Sequence, residues 1–257
     1  MSQITLPILR VLAVLLVASS VAPPAPADTA QQRADRTAML RTIERHAQSA
    51  TDALGRDHID PAVLEVMGRL PRHAFVPANM QDQAYDDRPL PIGYSQTISQ
   101  PFIVALMTDL LALEPGDVVL EVGTGSGYQA AVLALLVDEV HSIEIIPGLA
   151  ESAAARLDAQ GFDNVETHLG DGYYGVEAAA PFDAIVVTAA ATGVPPPLIA
   201  QLKPGGRMVI PVGPRHAQDL LLVTKAPDGT VQSEAVMKVV FVELVGPFGW
   251  SGEAVVK

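Results

Sequence analysis

Apolar runs of strand length alternate with stretches of helical periodicity through the central part of the chain, and glycine and proline separate them. This alternation is typical of parallel strands joined by helices that cover both faces of one sheet. We therefore predict a doubly wound, Rossmann-like α/β core. The predicted strands are residues 118–122, 139–146, 165–167, 182–190 and 206–213. One predicted helix starts at Tyr128, and two others span residues 148–160 and 197–202.

Upstream of this core the pattern is helical with one long interruption. Residues 34–53 and 60–71 have apolar positions at helical spacing, and Asp60 is suited to cap the second segment. They predict an N-terminal helical layer. Residues 75–100 are polar and irregular, and loops of that length in a compact domain are usually functional or disordered. Helical spacing then resumes over residues 101–113.

Downstream of the core, two partly alternating apolar runs flank a turn at Asp228 and Gly229, which predicts an antiparallel C-terminal hairpin. These patterns divide the chain into an N-terminal part at 28–112 with helices and the long loop, an α/β core at 113–215, and a hairpin and tail at 216–257.

The first 27 residues differ from the rest of the chain. Arg10 precedes a short apolar run, and small residues follow up to residues 25–27, which is the order found in secretory signals. The run is too short and too rich in proline to span a bilayer stably. We expect an exported protein from this segment; a misassigned start or a disordered tail is the alternative.

Composition narrows the function classes. The chain of 257 residues has a net charge of -13 and no block of lysine or arginine, so nucleic acid is disfavoured as a partner. The absence of cysteine excludes disulfides, iron-sulfur clusters and thiolate metal sites. The six histidines never fall three or four positions apart, so helical spacing predicts no metal site.

The segment VVLEVGTGSGYQAAVLA reads as a buried strand, a glycine turn and a helix of small residues. In α/β sheets ligands bind beyond the carboxyl ends of the strands, so a ligand is expected over Gly123, Gly125 and Gly127. A dinucleotide fingerprint would place its last glycine at Tyr128, so the match to a nicotinamide site is partial. No phosphate-binding loop with lysine is present, which disfavours hydrolysis of nucleoside triphosphates.

Three acidic residues follow predicted strand ends and converge on this turn. Glu144 lies 21 positions after Gly123, where an acid can accept hydrogen bonds from ribose hydroxyls. Glu121 precedes the first glycine, and Asp171 stands in a GDG segment. Three carboxylates would repel a pyrophosphate and tolerate a cationic sulfonium, although each alone is also typical of a solvated strand end.

The segments VLEVGTGSGYQAAVLA, SIEII, GDG, PFDAIVVTAA and LKPGGRMVIPVG resemble the successive motifs of class I S-adenosylmethionine-dependent methyltransferases. Upstream, RHAFVP and AYDDRPLPIGYSQTISQPFIVALMTDLL are similar to the protein-L-isoaspartate O-methyltransferase family. The resemblance covers roughly residues 60–245. It implies a seven-stranded sheet with an antiparallel last strand and S-adenosylmethionine held by the 113–215 core. Separately, we expect a monomer.

The resemblance also implies roles for individual residues. Glu144 would hold the ribose, Asp171 with Gly172 the adenine side, and Glu121 with Gly123 the methionine end of the donor, over the turn from Gly123 to Gly127. Ser99 matches the family's active-site serine, and its neighbours Thr97 and Ile98 belong to the same substrate loop. The implied reaction methylates the free carboxylate of isoaspartyl residues in damaged proteins and so initiates their repair.

Several alternatives stay open. From the residues alone, Ser99 could equally cap the helix that follows it. Where the family typically has a basic residue and a proline near the C terminus, this chain has Val240 and Glu243, which puts that strand's contribution to substrate binding in doubt. A methyltransferase for a small-molecule carboxylate and an exported non-catalytic binding protein are the competing functions. The family works in the cytosol, so a cytoplasmic location competes with export.

Overall fold

The computed structural model describes residues 28–246, so the signal-like segment 1–27 and residues 247–257 lie outside the part that can be compared with the predictions. The helices of the described part are α1 (Ala30–Ser49), α2 (Thr51–Leu54), α3 (Pro61–Arg69), α4 (Pro101–Leu110), α5 (Tyr128–Ala134), α6 (Pro147–Ala159) and α7 (Pro196–Gln201). The strands are β1 (Leu90–Gly93), β2 (Gln96–Ile98), β3 (Val118–Val122), β4 (Glu139–Glu144), β5 (Val165–Leu169), β6 (Phe182–Val187), β7 (Leu202–Val212), β8 (Gln218–Lys225) and β9 (Val231–Val239).

Seven strands form one sheet in the order β5-β4-β3-β6-β7-β8-β9. The first five in that order are parallel, and β8 runs antiparallel to both of its neighbours. The predicted α/β core and C-terminal hairpin are therefore confirmed. In detail, the strand that reverses direction is the penultimate β8, and the edge strand β9 pairs antiparallel with it. The predicted boundaries at 112/113 and 215/216 fall in the connections before β3 and before β8.

Apolar side chains alternate between the two faces of the sheet. Val119 and Val140 belong to a core that includes α5 and the N-terminal helices, whereas Leu120 and Val122 face a second core with Leu198 of α7. Every residue of α5 is buried, so the helix after the glycine turn is enclosed between the sheet and the N-terminal layer. Within residues 28–246 no helix combines the length and apolar character needed to cross a membrane.

The N-terminal layer begins earlier than predicted. The Thr29 hydroxyl accepts a hydrogen bond from the Gln32 amide, and the Gln32 side chain accepts one from the Thr29 amide, which forms a capping box that starts α1 at Ala30. The predicted start at residue 34 was wrong because the apolar periodicity begins after this cap. Asp60 caps α3 as predicted, accepting from the Ala62 amide at 2.8 Å.

The predicted irregular loop at 75–100 contains regular structure. It includes one short 3-10 helix, Ala78–Gln83, and the antiparallel pair β1 and β2. A two-residue turn joins these strands, and both of its residues, Tyr94 and Ser95, have positive φ values of 51° and 58°. That conformation matches the twist of a hairpin but usually selects glycine or asparagine, so the sequence offered no turn signal.

Candidate active site

The glycine turn lies at the carboxyl end of β3. Gly123, Gly125 and Gly127 have φ values of 98°, 53° and 85°, a region that disfavours side chains. A Cβ atom on Gly123 would lie 2.5 Å from Thr188 Oγ1, which is too close for any side chain. Only glycine therefore lets the backbone of the turn pack against Thr188 at the end of β6. The Thr188 hydroxyl donates to the Gly123 carbonyl at 2.7 Å and holds the turn in place.

Glu121, two residues before the turn, is fully buried. Ser142 Oγ donates to Glu121 Oε2, and the Ser142 and Thr124 hydroxyls lie 2.6 Å apart. Glu121 Oε1 is buried without a hydrogen-bond partner among the described residues. Burial raises the pKa of Glu121 to about 8, and the charge of Glu144 adds to the shift. Glu121 is therefore a desolvated acid, and not a solvated strand end.

Glu144 ends β4 and faces the same turn. Its two carboxylate oxygens accept hydrogen bonds from the Gly125 amide at 2.8 Å and from the Ile146 amide at 3.0 Å. The side chain is buried, so its remaining lone pairs point into a confined space. Because β3 and β4 are adjacent parallel strands, the predicted convergence of Glu121 and Glu144 follows from the sheet register.

Asp171 follows β5, on the far side of β4. Its Oδ1 accepts from the Tyr173 amide at 2.9 Å, whereas Oδ2 is buried without a partner among the described residues. A Cβ atom on Gly172 would lie 2.4 Å from Val122, so only glycine fits beside the strand. Gly246 packs against the Asp171 carboxylate, since a Cβ there would lie 2.7 Å from Oδ2.

The β1-β2 hairpin lies over the glycine turn. The side chain of Ile92 lies 3.4 Å from the position that a Cβ of Gly125 would take. The Tyr94 ring packs against Gly148 at the start of α6, where a Cβ would meet the hydroxyl at 2.0 Å. The hairpin therefore covers the crevice formed by the glycine turn and the ends of β3, β4 and β5, which we call the glycine crevice.

A cavity of about 710 Å³ adjoins the other side of Thr188. Ser99 and Thr97 line it together with His216 and the end of β9. Ile98 does not, because its side chain is buried in the core. Thr188 contacts the glycine turn and also lines the cavity, so the two sites share a wall.

Ser99 does not cap α4. The capping position is Gln100, which makes no side-chain cap, and Asp87 supplies the bond instead by accepting from the Phe102 amide at 2.9 Å. The Ser99 carbonyl accepts from Arg72 Nη2 at 2.7 Å. The capping role considered for Ser99 was therefore wrong. Its hydroxyl is available to a ligand in the cavity.

Arg72 and Asp87 are the residues that the sequence analysis missed. Arg72 is fully buried, donates from Nε to the Ala84 carbonyl at 2.7 Å, and stacks 4.8 Å from the Tyr128 ring centre. Burial lowers the pKa of the Arg72 guanidinium, while Tyr128 and Asp87 oppose that shift. The RHAFVP segment was the available signal, but a lone arginine gives no indication of burial.

The basic groups near the cavity come from several elements. His46 of α1 pairs with Asp87 at 2.8 Å, and Lys238 of β9 pairs with Asp219 at 2.6 Å. Val240, where the resemblance leads one to expect a basic residue, is 68% exposed on the cavity wall. Among the described residues, the basic side chains that line the cavity are therefore Lys238, His46 and His216.

Comparison with known proteins agrees with this arrangement. The model of the protein-L-isoaspartate(D-aspartate) O-methyltransferase family matches residues 52–248. A protein-L-isoaspartate O-methyltransferase 2 of Syntrophobacter fumaroxidans is 56% identical over 214 residues, which is 83% of this chain and 87% of that protein. A protein-L-isoaspartate O-methyltransferase 1 of Cupriavidus necator is 58% identical, over 84% of this chain and 83% of that protein.

Solved structures show the same fold. A protein-L-isoaspartate O-methyltransferase superimposes with a TM-score of 0.73 at 27% identity, covering 83% of this chain and 67% of that chain. A Plasmodium falciparum relative solved with S-adenosyl-L-homocysteine gives a TM-score of 0.69 at 24% identity, covering 82% and 98%. The residues matched by the family model include the hairpin, the glycine crevice and the cavity residues from Pro89 onward. The chain belongs to the protein-L-isoaspartate(D-aspartate) O-methyltransferase family.

Proposed function

We propose that this protein transfers a methyl group from S-adenosylmethionine to the free carboxylate of L-isoaspartyl residues in damaged proteins. The observation that carries the proposal is the shared wall at Thr188. Its hydroxyl holds the glycine turn, and the same residue lines the cavity that contains Ser99. A donor site and an acceptor site therefore meet without an intervening layer of protein.

The residues of the glycine crevice fit the donor. Glu121 Oε1 and Asp171 Oδ2 are buried and have no hydrogen-bond partner among residues 28–246, so they are suited to an ammonium group and to an adenine amine. The confined oxygens of Glu144 suit ribose hydroxyls, and Gly123 and Gly125 leave room for close approach of a ligand to the backbone. When bound, S-adenosylmethionine supplies an activated methyl group. The ammonium group of the donor, placed beside Glu121, would favour the ionised form of this carboxylate and compensate its buried charge.

On the acceptor side, the chain has to orient an oxygen nucleophile. An isoaspartyl carboxylate is already ionised at neutral pH, so no strong general base is required. Ser99 can donate a hydrogen bond to a carboxylate oxygen without adding a competing negative charge. Arg72 fixes the backbone at Ser99, and the hairpin with Ile92 and Tyr94 limits access of water to the crevice.

The cavity also favours a segment of protein over a small acid. It is about 710 Å³ in volume and is bordered by α1, the loop before α4, α4 itself, Thr188 after β6, the segment after β7, and strand β9 with the residues that follow it. A small carboxylate would leave most of this volume unfilled. The non-catalytic alternative leaves the partnerless acids and the free Ser99 hydroxyl without a role.

The decisive experiment measures methyl transfer from labelled S-adenosylmethionine to paired peptides that carry isoaspartate or aspartate. We expect transfer to the isoaspartyl peptide alone. Ser99→Ala should lower kcat/KM for the isoaspartyl peptide by up to about 100-fold, because the carboxylate loses the donor that aligns it, and should leave donor affinity unchanged. Ser233→Ala on the exposed part of β9 is the matched control and should behave as the wild type.

Each other result contradicts the proposal. Donor binding without transfer to either peptide would exclude isoaspartyl repair, and transfer to small acids alone would support the small-molecule alternative. Absence of donor binding by a folded chain would leave the non-catalytic binding protein.

A further inference from the structure

Three ligand-type side chains meet at the edge of the main sheet, away from the hairpin and the Ser99 cavity. His141 lies on β4, and Glu166 and His168 lie on the edge strand β5. The parallel register pairs His141 with Glu166 and Ile143 with His168, which brings the three side chains onto one face. One potential ligand atom from each residue lies within 4.8 Å of the others.

The spacing of these atoms suits a divalent metal ion. His141 Nδ1 and His168 Nε2 face each other at 3.0 Å, and the Glu166 oxygens lie 3.7 and 3.8 Å from these two nitrogens. Zinc bonds to imidazole and carboxylate of about 2.0–2.2 Å in a tetrahedral site place ligand atoms about 3.3–3.5 Å apart. These two distances involve different Glu166 oxygens, and rotation of the exposed Glu166 side chain would bring one oxygen to that spacing from both nitrogens.

A second carboxylate orients the buried ligand. His141 Nε2 lies 2.9 Å from Glu139 Oε1, so Nε2 carries the proton and the lone pair of Nδ1 faces His168 and Glu166. The ring is nearly inaccessible and packs edge-on against Phe182 at 5.8 Å, which restricts its orientation. A carboxylate that accepts from the far nitrogen of a histidine ligand is the usual outer partner in zinc sites.

The surroundings leave access for an ion and a fourth ligand. Glu166 is exposed, His168 is half-buried, and the connection from β5 to β6 consists of short 3-10 turns in place of a helix. Water can therefore reach the open side of the cluster. Helical spacing of histidines could not indicate this arrangement, because the ligands come from two adjacent strands.

We propose that His141, Glu166 and His168 bind one Zn²⁺ ion, with water as the fourth ligand, and that the ion fastens the edge strand β5 to β4. The metal has no part in methyl transfer. Because β5 leads directly into Asp171, loss of the ion should loosen the segment that carries this residue. The site is independent of the proposed function.

The test uses the full chain, produced without a histidine tag and stripped with a chelator. Titration with Zn²⁺ alone, followed by calorimetry, should show one ion per chain and an increase in Tm. His168→Ala should weaken binding by more than about 100-fold, because a direct ligand contributes more than its orienting partner, and Glu139→Ala by about 10- to 100-fold.

His58→Ala is the matched control, since His58 is an exposed histidine paired only with Asp57. It should bind Zn²⁺ as the wild type does. Circular dichroism of each apo variant checks that the fold persists, and Co²⁺ in place of Zn²⁺ reports tetrahedral coordination by its visible absorption. Failure of the folded wild type to bind Zn²⁺, or equal binding by His168→Ala, would overturn the proposal.

Discussion

Glu121 occupies an environment in which an ionised carboxylate is costly. It is fully buried, and Ser142 donates to one of its oxygens while the other lacks a partner among the described residues. Desolvation raises its pKa from the ordinary 4.5 to about 8. Without a bound cation the folded chain therefore holds a proton that the unfolded chain releases.

The stability of the protein without donor should depend on pH through this residue. Since the folded pKa is raised, the contribution is fully present below pH 4.5 and is lost as the pH rises to about 8. The slope from this group is at most about 1.4 kcal/mol per pH unit. Glu121→Gln should remove that slope, as measured by urea unfolding between about pH 5 and about pH 9.

The control is Glu151→Gln on the exposed face of α6, which should retain the wild-type slope. Equal pH profiles for wild type and Glu121→Gln would show that Glu121 ionises normally in the folded state. Glu121→Gln should also bind S-adenosylmethionine about 10- to 100-fold more weakly than the wild type, which is the order of a lost hydrogen bond to a charged group.

At the scale of elements, the segment from Ala84 to Ser99 is held by Arg72. The planar guanidinium donates to the carbonyls of both residues and stacks on Tyr128 of α5. One side chain therefore connects the start of the segment, its end at the cavity, and the helix after the glycine turn. A lysine could reach one carbonyl but has no planar fork.

Arg72→Lys should therefore lower the free energy of unfolding by about 1–3 kcal/mol, because either the Ala84 or the Ser99 carbonyl loses its hydrogen-bond donor. It should also lower kcat for the isoaspartyl peptide, because Ser99 loses its backbone anchor. Urea unfolding and methyl-transfer kinetics measure the two effects. Arg69→Lys in α3 is the control, since Arg69 is 69% exposed and pairs only with Glu65. A wild-type kcat in Arg72→Lys would contradict the anchoring role.

At the scale of the whole molecule, the location of the protein depends on the signal-like segment 1–27. Asp28 pairs with Arg36 and lies 3.8 Å from His73, so it is already part of the N-terminal layer. We propose that residues 1–27 direct export and are removed. Location and the monomeric state both stay predictions, and an exported enzyme would need a supply of donor outside the cytosol.

Expression of the full chain in a bacterial host tests the export proposal. The periplasmic fraction should contain a protein whose mass corresponds to a start at Asp28. Ala27→Phe should block cleavage, because the small residue before the cut is required. An intact chain in the cytosol, with no shorter form in the periplasm, would support the cytoplasmic alternative.

Local signals in the sequence determined most of the architecture. Short apolar runs and glycine breaks predicted the parallel strands, since buried strands need apolar residues on both faces. The positions of Glu121, Glu144 and Asp171 at strand ends predicted the crevice, because carboxyl ends of adjacent parallel strands share one edge. Asp60 predicted the start of α3 through its capping bond.

Tertiary structure alone decided what depends on contacts between distant residues. Burial of Glu121 and Arg72, the capping of α4 by Asp87, and the His141 cluster join residues far apart in sequence, and no local pattern encodes those contacts. The β1-β2 hairpin escaped prediction because its turn uses Tyr94 and Ser95 without glycine. The sequence thus determined the elements and the residues at their ends, whereas packing decided protonation, anchoring and which side chains meet.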